Sequence, residues 1–263
     1  MNNPIILLTD FGSKDLYAGV MRGVIYTRNP QARVLDLTHG IAPFNIIEAA
    51  HVLEAAYPYF SKGSLFVCVV DPGVGTRRKI LCMRTPRYFF LAPDNGLLEL
   101  VRRCEPKSEI RSVENKSFFV KDISATFHGR DILAPVAAAL AQKDIFTSLG
   151  PVLKSIAPLA VSQPRKQQGR LEGEIIYFDH YGNAVTNLRC AHAAPEAWKQ
   201  AVVYAGTRRV GLIAQTYGAR RPGLTALFDS FGRLELAWPK ASAQKKGHLQ
   251  VGCKVSVVYG KKK

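Results

Sequence analysis

The chain has 263 residues, is 47% hydrophobic and carries a formal net charge of +16, a composition that fills real cores and excludes a disordered polypeptide. Its five cysteines (Cys68, Cys82, Cys104, Cys190 and Cys253) are odd in number and too widely spaced for a zinc pattern or a disulfide framework. The charge is uneven, since residues 160–263 hold 17 Lys/Arg against 6 Asp/Glu and so carry +11 of the total, ending in Lys261, Lys262 and Lys263. No RNA-binding signature accompanies that charge, so a solvated face is the preferred reading and a nucleic-acid partner is not expected.

In chain order, Met1-Asn2-Asn3-Pro4 lacks a basic leader, and Ile5 to Leu8 is too short for a signal peptide or a membrane span, which predicts a cytoplasmic protein with no membrane partner. Pro4 to Thr9 reads as a first strand ending at Asp10. Leu16, Val20, Met21, Val24 and Ile25 then share one face at helical spacing. A second strand, Arg33 to Thr38, ends at His39, and Asn45 with Glu48 forms a capping-box pattern opening a helix that Pro58 closes. Leu65 to Val70 is a buried strand by length and β-branched content, and it stops at Asp71-Pro72-Gly73-Val74-Gly75-Thr76-Arg77-Arg78. A hairpin of Ile80 to Arg84 and Tyr88 to Leu91 follows, its second arm reaching Asp94.

Asp10, His39, Asp71 and Asp94 therefore all terminate strand-like runs. Packing alone accepts any turn residue at such places, whereas ligands of open parallel sheets bind outside the carboxyl ends of the strands. His128 lies before an Ala-rich helix, Ile132 to Gln142, where the helix dipole favours a neutral imidazole usable as a base. Ser162 to Gly169 reads as a linker, and beyond it the pattern changes to short β-type runs: Glu172 to Phe178, Ala184 to Leu188, Gln200 to Tyr204, Arg233 to Ala237 and Val251 to Tyr259. The predicted fold is α/β: an N-terminal α/β domain with a mostly parallel sheet over 1–161, and a smaller, mostly antiparallel β domain over 170–263. On the residues alone, a metal-dependent nucleoside or phosphoester hydrolase with Asp10, Asp15 and Asp94 as oxygen ligands stays open, as does a basic RNA-binding accessory protein.

Blocks spread over nearly the whole chain resemble one family in its own order. They are Thr9-Asp10-Phe11-Gly12, Asp36-Leu37-Thr38-His39, Val70 to Thr76, Ala92 to Gly96, Phe127 to Asp131, Gly182-Asn183 through Thr186-Asn187, and Ser230 with Leu234 to Ala237. The sequence resembles the S-adenosyl-L-methionine hydroxide adenosyltransferases, relatives of the fluorinase and chlorinase enzymes. The resemblance implies hydrolysis of S-adenosyl-L-methionine to adenosine and methionine, with the sulfonium compound as substrate and no cofactor or metal. It also implies a homotrimer with sites between subunits. Carried over position by position, the catalytic set falls on Asp71, Arg78 and His128, the family spacing selecting Arg78 over the adjacent Arg77. Asp10 matches a ribose contact, Phe44 an aromatic beside the sugar, and Asp15 a contact at the methionine end. Asp179, Tyr181, Asn183 and Ser230 match contacts from the neighbouring subunit's second domain. The halogenases carry Tyr and Ser where this chain has Asp71 and Gly129, so the resemblance implies water rather than halide as nucleophile. The chain departs from the family at Pro239, where relatives carry Asn, and at Phe231, where the fluorinase carries Arg.

Overall fold

A computed structural model describes residues 3–167, 169–218 and 223–259; the lysine tail and Gln168 of the predicted linker lie outside these residues. The chain divides into two compact units, the first ending at Ala160 and the second beginning at Val161. Among the described residues no helix is long and apolar enough to cross a membrane.

The first unit is a six-stranded sheet between two helical layers. Its strands are β1 (Ile5–Thr9), β2 (Val34–Thr38), β3 (Leu65–Val69), β4 (Ile80–Arg84), β5 (Phe89–Pro93) and β6 (Glu109–Ser112), in the order β2-β1-β3-β5-β4-β6. The pairs β1–β2, β1–β3 and β3–β5 are parallel, while β4 runs antiparallel to both β5 and β6. The continuous apolar character of β1 and β3 has a direct cause: both sheet faces are covered. Ile5, Leu7, Leu65, Val67 and Val69 pack with Met21 and Ile25 of α1 (Tyr17–Arg28) and with α4 (Ala134–Gln142). Ile6, Leu8, Phe66, Cys68 and Val70 pack with Ala49 and Leu53 of α2 (Ile46–Ala56) and Val101 of α3 (Glu99–Cys104).

Several predicted boundaries shift for local reasons. Leu16, assigned to the apolar face of α1, is instead its exposed N-cap residue, and Ala18 takes the buried place. Asn45 Oδ1 accepts from Glu48 N (3.0 Å), as expected at a helix start, but the Glu48 carboxylate returns to Asn45 Nδ2 and Ala42 N rather than to the cap's own N–H. The helix expected over 132–142 is α-helical only from Ala134. It is preceded by a π-helical turn, Gly129–Leu133, for which His128 is the N-cap residue.

In the second unit the strands are β7 (Arg165–Gln167), β8 (Arg170–Phe178), β9 (Ala184–Arg189), β10 (Val202–Ala205), β11 (Arg208–Ala214), β12 (Thr225–Phe228), β13 (Arg233–Ala237) and β14 (Lys254–Val258), with short helices α5 (Pro195–Lys199) and α6 (Ala243–Gly247). The order is β14-β10-β11-β12-β13-β9-β8-β7, and a further β14–β8 pairing closes the sheet into a barrel with β7 at its margin. All pairs are antiparallel except β11–β12. The stretch read as a linker thus contains a strand: Arg165–Gln167 pair with β8, their exposed polar side chains suiting a sheet margin. The last strand begins at Lys254 rather than Val251, because Val251 and Gly252 form a turn, with Gly252 at φ 84°.

Strand β13 is buried on both faces, with Leu234 and Leu236 in the barrel core and Arg233 and Glu235 on the other side. Glu235 is 3% exposed. Burial pushes its carboxyl from an ordinary 4.5 up to about 7, opposed by a hydrogen bond from Tyr217 and reinforced by the charges of Asp179 and Asp229. Between those two values the folded protein holds more protons than the unfolded chain, so stability falls as pH rises through the window. Glu235→Gln should remove that dependence, worth on the order of 2 kcal/mol, when thermal unfolding at about pH 5 is compared with about pH 7.5. An unchanged pH dependence in the variant would show that Glu235 ionises normally.

Candidate functional site

The strand order places a crevice before any side chain is considered. From β1 the chain crosses through α1 to β2 on one side, then through α2 to β3 on the other, and the two helices cover opposite faces of the sheet. The carboxyl ends of β1 and β3 therefore flank a topological switch point, where open α/β sheets bind ligands. Asp10 follows β1 directly and Asp71 follows β3 by one residue.

After Asp71 the chain turns back sharply. Val74 N donates to Asp71 O (3.2 Å), Thr76 N and Oγ1 donate to Gly73 O (3.2 and 2.7 Å), and Gly75 adopts φ 80°. A Cβ at Gly75 would run into the carbonyl oxygen of Ala125, so only glycine lets this loop lie against the 124–128 segment. Asn95 Nδ2 donates to Val70 O (2.9 Å), pinning the strand end from the neighbouring β5 side. The loop delivers Arg78 back onto Asp71: Arg78 Nε donates to both carboxylate oxygens (2.8 Å each), and Nη2 also meets Oδ2. The same Nη2 lies 2.9 Å from His128 Nδ1, joining residues 50 positions apart. The Asp71 and Arg78 side chains are only 6% and 9% exposed. Arg77 points to solvent, so the three-dimensional structure distinguishes the two arginines.

Arginine has no acceptor, so His128 Nδ1 must accept from Arg78, and the neutral ring carries its proton on Nε2. Burial, then the Arg78 charge, hold His128 below its ordinary range, against weaker opposition from Asp71 and Asp131. The ring is accordingly neutral, as the sequence suggests, but its free lone pair is the one occupied by Arg78. Asp131 anchors this corner: burial opposes its ionisation, yet Arg130 and Ser124 N (2.8 Å) bind it and leave its carboxyl below the usual range.

The other candidates divide into those gathered at the crevice and those elsewhere. Asp10 Oδ2 accepts from Phe44 N (2.8 Å), holding Phe44 at φ 65° with its ring 70% exposed. A bulky residue in the left-handed region is strained, and such strain is most often retained where a side chain must be presented. Asp15 is exposed at the start of α1. Asp94 Oδ1 accepts from Ala157 N (2.7 Å). Asp10, Asp15 and Asp94 are not grouped as a ligand set: among the described residues no three His, Cys, Asp or Glu side chains are placed together to hold a metal ion.

In the second unit, Asp179 Oδ1 accepts from Asn183 N (2.8 Å) and Oδ2 from Asn183 Nδ2 (2.9 Å), which fixes the amide plane of the buried Asn183. Gly182, at φ 80°, packs against Ser242, and its carbonyl caps the start of α6 through Gln244 N (2.9 Å). Asp179, Tyr181 and Asn183 line a cavity of about 530 Å³ with Tyr217, Trp238 and Pro239. Ser230 is exposed in the β12–β13 turn and does not line it. Tyr217 and Trp238 escaped the sequence reading because the cavity wall comes from three separate segments of the chain.

Comparisons with known proteins agree over both units. A family model described as the SAM hydroxide adenosyltransferase N-terminal domain matches residues 5–150, and one described as the C-terminal domain of the same family matches residues 173–256. The chain is 34% identical to an (R)-S-adenosyl-L-methionine hydrolase of Thermus thermophilus, covering 97% of this chain and 99% of that protein. A fluorinase of Actinoplanes is 24% identical across 71% of this chain and 72% of its own length. Among solved structures, an uncharacterized conserved protein from Thermotoga maritima superposes with a TM-score of 0.89 at 36% identity, covering 97% of this chain and 99% of that one. With both domain models matched in order along one continuous chain, this protein belongs to the SAM hydroxide adenosyltransferase family.

Proposed function

We propose that the chain hydrolyses S-adenosyl-L-methionine: water attacks C5′ of the ribose, the C5′–S bond breaks with its electron pair going to sulfur, and adenosine, L-methionine and one proton result. The observation that carries this reading is the buried Asp71–Arg78–His128 cluster at the switch point of a chain of this family. The substrate is the only cofactor-like molecule the reaction needs. Because sulfur leaves as a neutral thioether, no general acid is required, and the demand falls on the nucleophile.

The residues suit that demand. Asp71 holds the guanidinium and orients the attacking water, while Arg78 stabilises the oxygen as it loses its proton. When Arg78 Nη2 turns toward that oxygen it releases His128 Nδ1, whose lone pair then accepts the proton. Gly129 supports water over halide as nucleophile, since a Cβ there would lie 3.0 Å from the Phe127 ring and 3.1 Å from Met21 Sδ, leaving tight quarters for the halogenase serine. Asp10 and Phe44 hold the sugar, Asp15 contacts the methionine end, and Asp179, Tyr181, Asn183 and Ser230 come from a neighbouring subunit of a homotrimer. The enzyme works in the cytoplasm.

Three measurements test this reading. Turnover in ¹⁸O-water should place the label on the 5′ oxygen of adenosine; unlabelled adenosine, or 5′-halo product preferred at high halide, would overturn it. Arg78→Lys should lower kcat by roughly 10²-fold, because a point charge cannot bridge carboxylate and imidazole at once. Arg77→Ala should change kcat by less than about twofold, as surface substitutions usually do, and equal losses for the two would refute the assignment. In mixed assemblies of His128→Ala and Asn183→Ala chains, activity above both parents is expected if sites join different subunits. No gain despite verified subunit exchange would place each site within one chain.

A further inference from the structure

His39 ends β2, and the chemistry described so far leaves it without a task. Its side chain is 12% exposed and lies in a network of hydrogen bonds. Thr9 is fully buried, and its Oγ1 accepts from Phe11 N (3.3 Å) and stands 2.8 Å from His39 Nδ1. Both Asp36 Oδ1 and Arg22 Nη2 lie 3.1 Å from Nε2, and Nδ1 pairs with the Thr9 hydroxyl, which can donate or accept. Arg22 completes the far end: its Nε donates to Asp36 Oδ1 (3.2 Å) and its Nη2 binds Asp36 Oδ2, while Nη2 also lies 3.1 Å from His39 Nε2. The backbone closes the loop, with Gly12 N donating to His39 O (2.8 Å) and Gly12 at φ 70°.

Between the two points at which His39 grips this turn, Thr9 and Gly12, sits Asp10. One of its carboxylate oxygens, Oδ2, is taken by Phe44 N, and Oδ1 has no hydrogen bond among the described residues. A short turn held at both ends fixes the direction of the side chain between them, and a carboxylate oxygen kept in place without its own bond is a ready acceptor for a ligand hydroxyl.

We propose that His39 is a positioning residue for ribose recognition, holding the Thr9–Gly12 turn so that Asp10 Oδ1 is aimed at the sugar hydroxyls. This rests on the reading of Asp10 as the ribose contact. The effect is therefore on binding of hydroxylated sugar and not on bond cleavage. His39→Ala removes the partner of the Thr9 hydroxyl, whereas His39→Asn keeps one, since its amide lies nearly at the place of Nδ1 and a hydroxyl can donate to Oδ1 or accept from Nδ2. Thr9→Val removes the hydroxyl at constant shape and reports the same contact should His39→Ala fail to fold.

The test combines steady-state kinetics on S-adenosyl-L-methionine with calorimetric binding of adenosine and of 2′,3′-dideoxyadenosine to the full chain. Expected for His39→Ala and for Thr9→Val are a KM raised by about tenfold, a kcat changed by less than about threefold, and adenosine affinity lowered by about tenfold, the usual size of one hydrogen bond to a charged group. Dideoxyadenosine affinity should stay as in the wild type, and His39→Asn should recover adenosine affinity to within about threefold. Equal loss for both nucleosides, a fall in kcat at unchanged KM, or failure of the Asn variant to recover would reduce His39 to a fold contact. A wild type that does not distinguish the two nucleosides would overturn the proposal by removing Asp10 as the sugar contact. Absence of S-adenosyl-L-methionine turnover with intact selectivity for adenosine would overturn only the hydrolase reading.

Discussion

A nearly buried guanidinium shared between a carboxylate and an imidazole sets the terms for the first unit. Removing Arg78 from water costs several kcal/mol unless the charge is paired and its donors are used, and Asp71 meets both needs through bonds to two oxygens. That pairing dictates the backbone around it. The strand must end where a carboxylate can be delivered, the loop must return within seven residues, and Gly75 must accept a conformation and a contact that a side chain forbids. It also fixes His128, whose neutral state follows from burial beside a cation and whose tautomer follows from arginine being a donor only. Replacing Asp71 by a neutral residue would thus disturb Arg78 and, through it, His128, since the buried cation would lose its compensation.

The same unit explains how two acidic side chains in different environments come to lie beside one crevice. Parallel pairing of β1 with β3 aligns their carboxyl ends, and the opposite placement of α1 and α2 opens the space above them. Asp71 is neutralised by a cation, whereas Asp10 is engaged by a backbone N–H and retains an oxygen. Environment, not residue type, separates the two carboxylates.

What could be read in the sequence follows from how strongly local pattern and tertiary context agree. The runs of β1 and β3 were legible because burial on both faces makes them uniformly apolar, and the β4–β5 hairpin because a Thr-Pro-Arg turn separates two apolar arms. Strands β6, β11 and β12 were missed. Glu109–Ser112 alternates buried and half-exposed positions over only four residues, and Arg208–Ala214 opens on two exposed arginines, has Gly211 at its centre and pairs with β10 in an irregular register. The strand Arg165–Gln167 looks like a linker because nothing in it is buried. For the site, strand-end polar residues were legible as a group, but their division was not. Asp94 differs from Asp71 only in what the distant chain offers it, an N–H of Ala157 rather than a guanidinium. Likewise the choice between Arg77 and Arg78 depends on which side of a turn faces inward.

Two turns of the barrel show where matching a motif and locating a site part company. Asp179-His180-Tyr181-Gly182-Asn183 and Asp229-Ser230-Phe231-Gly232-Arg233 are built alike: in each, the first Asp Oδ1 accepts from the backbone N–H four residues on (2.8 Å), the Asp N donates to that residue's carbonyl, and the Gly has positive φ. The aspartate and glycine of this pattern are therefore explained by the hairpin itself, and their presence carries no information about a ligand. What differs is the last residue. Asn183 offers a side-chain amide that the second oxygen of Asp179 locks in place at the edge of a cavity, whereas Arg233 lies on a buried strand face. Antiparallel pairing of β9 with β13 sets Ala184 beside Leu236 and Arg189 beside Arg233, so the two turns stand at opposite ends of these strands. A ligand that touched both Asn183 and Ser230 would then have to span the distance between the two ends of β13, a requirement that favours an elongated molecule over a compact one.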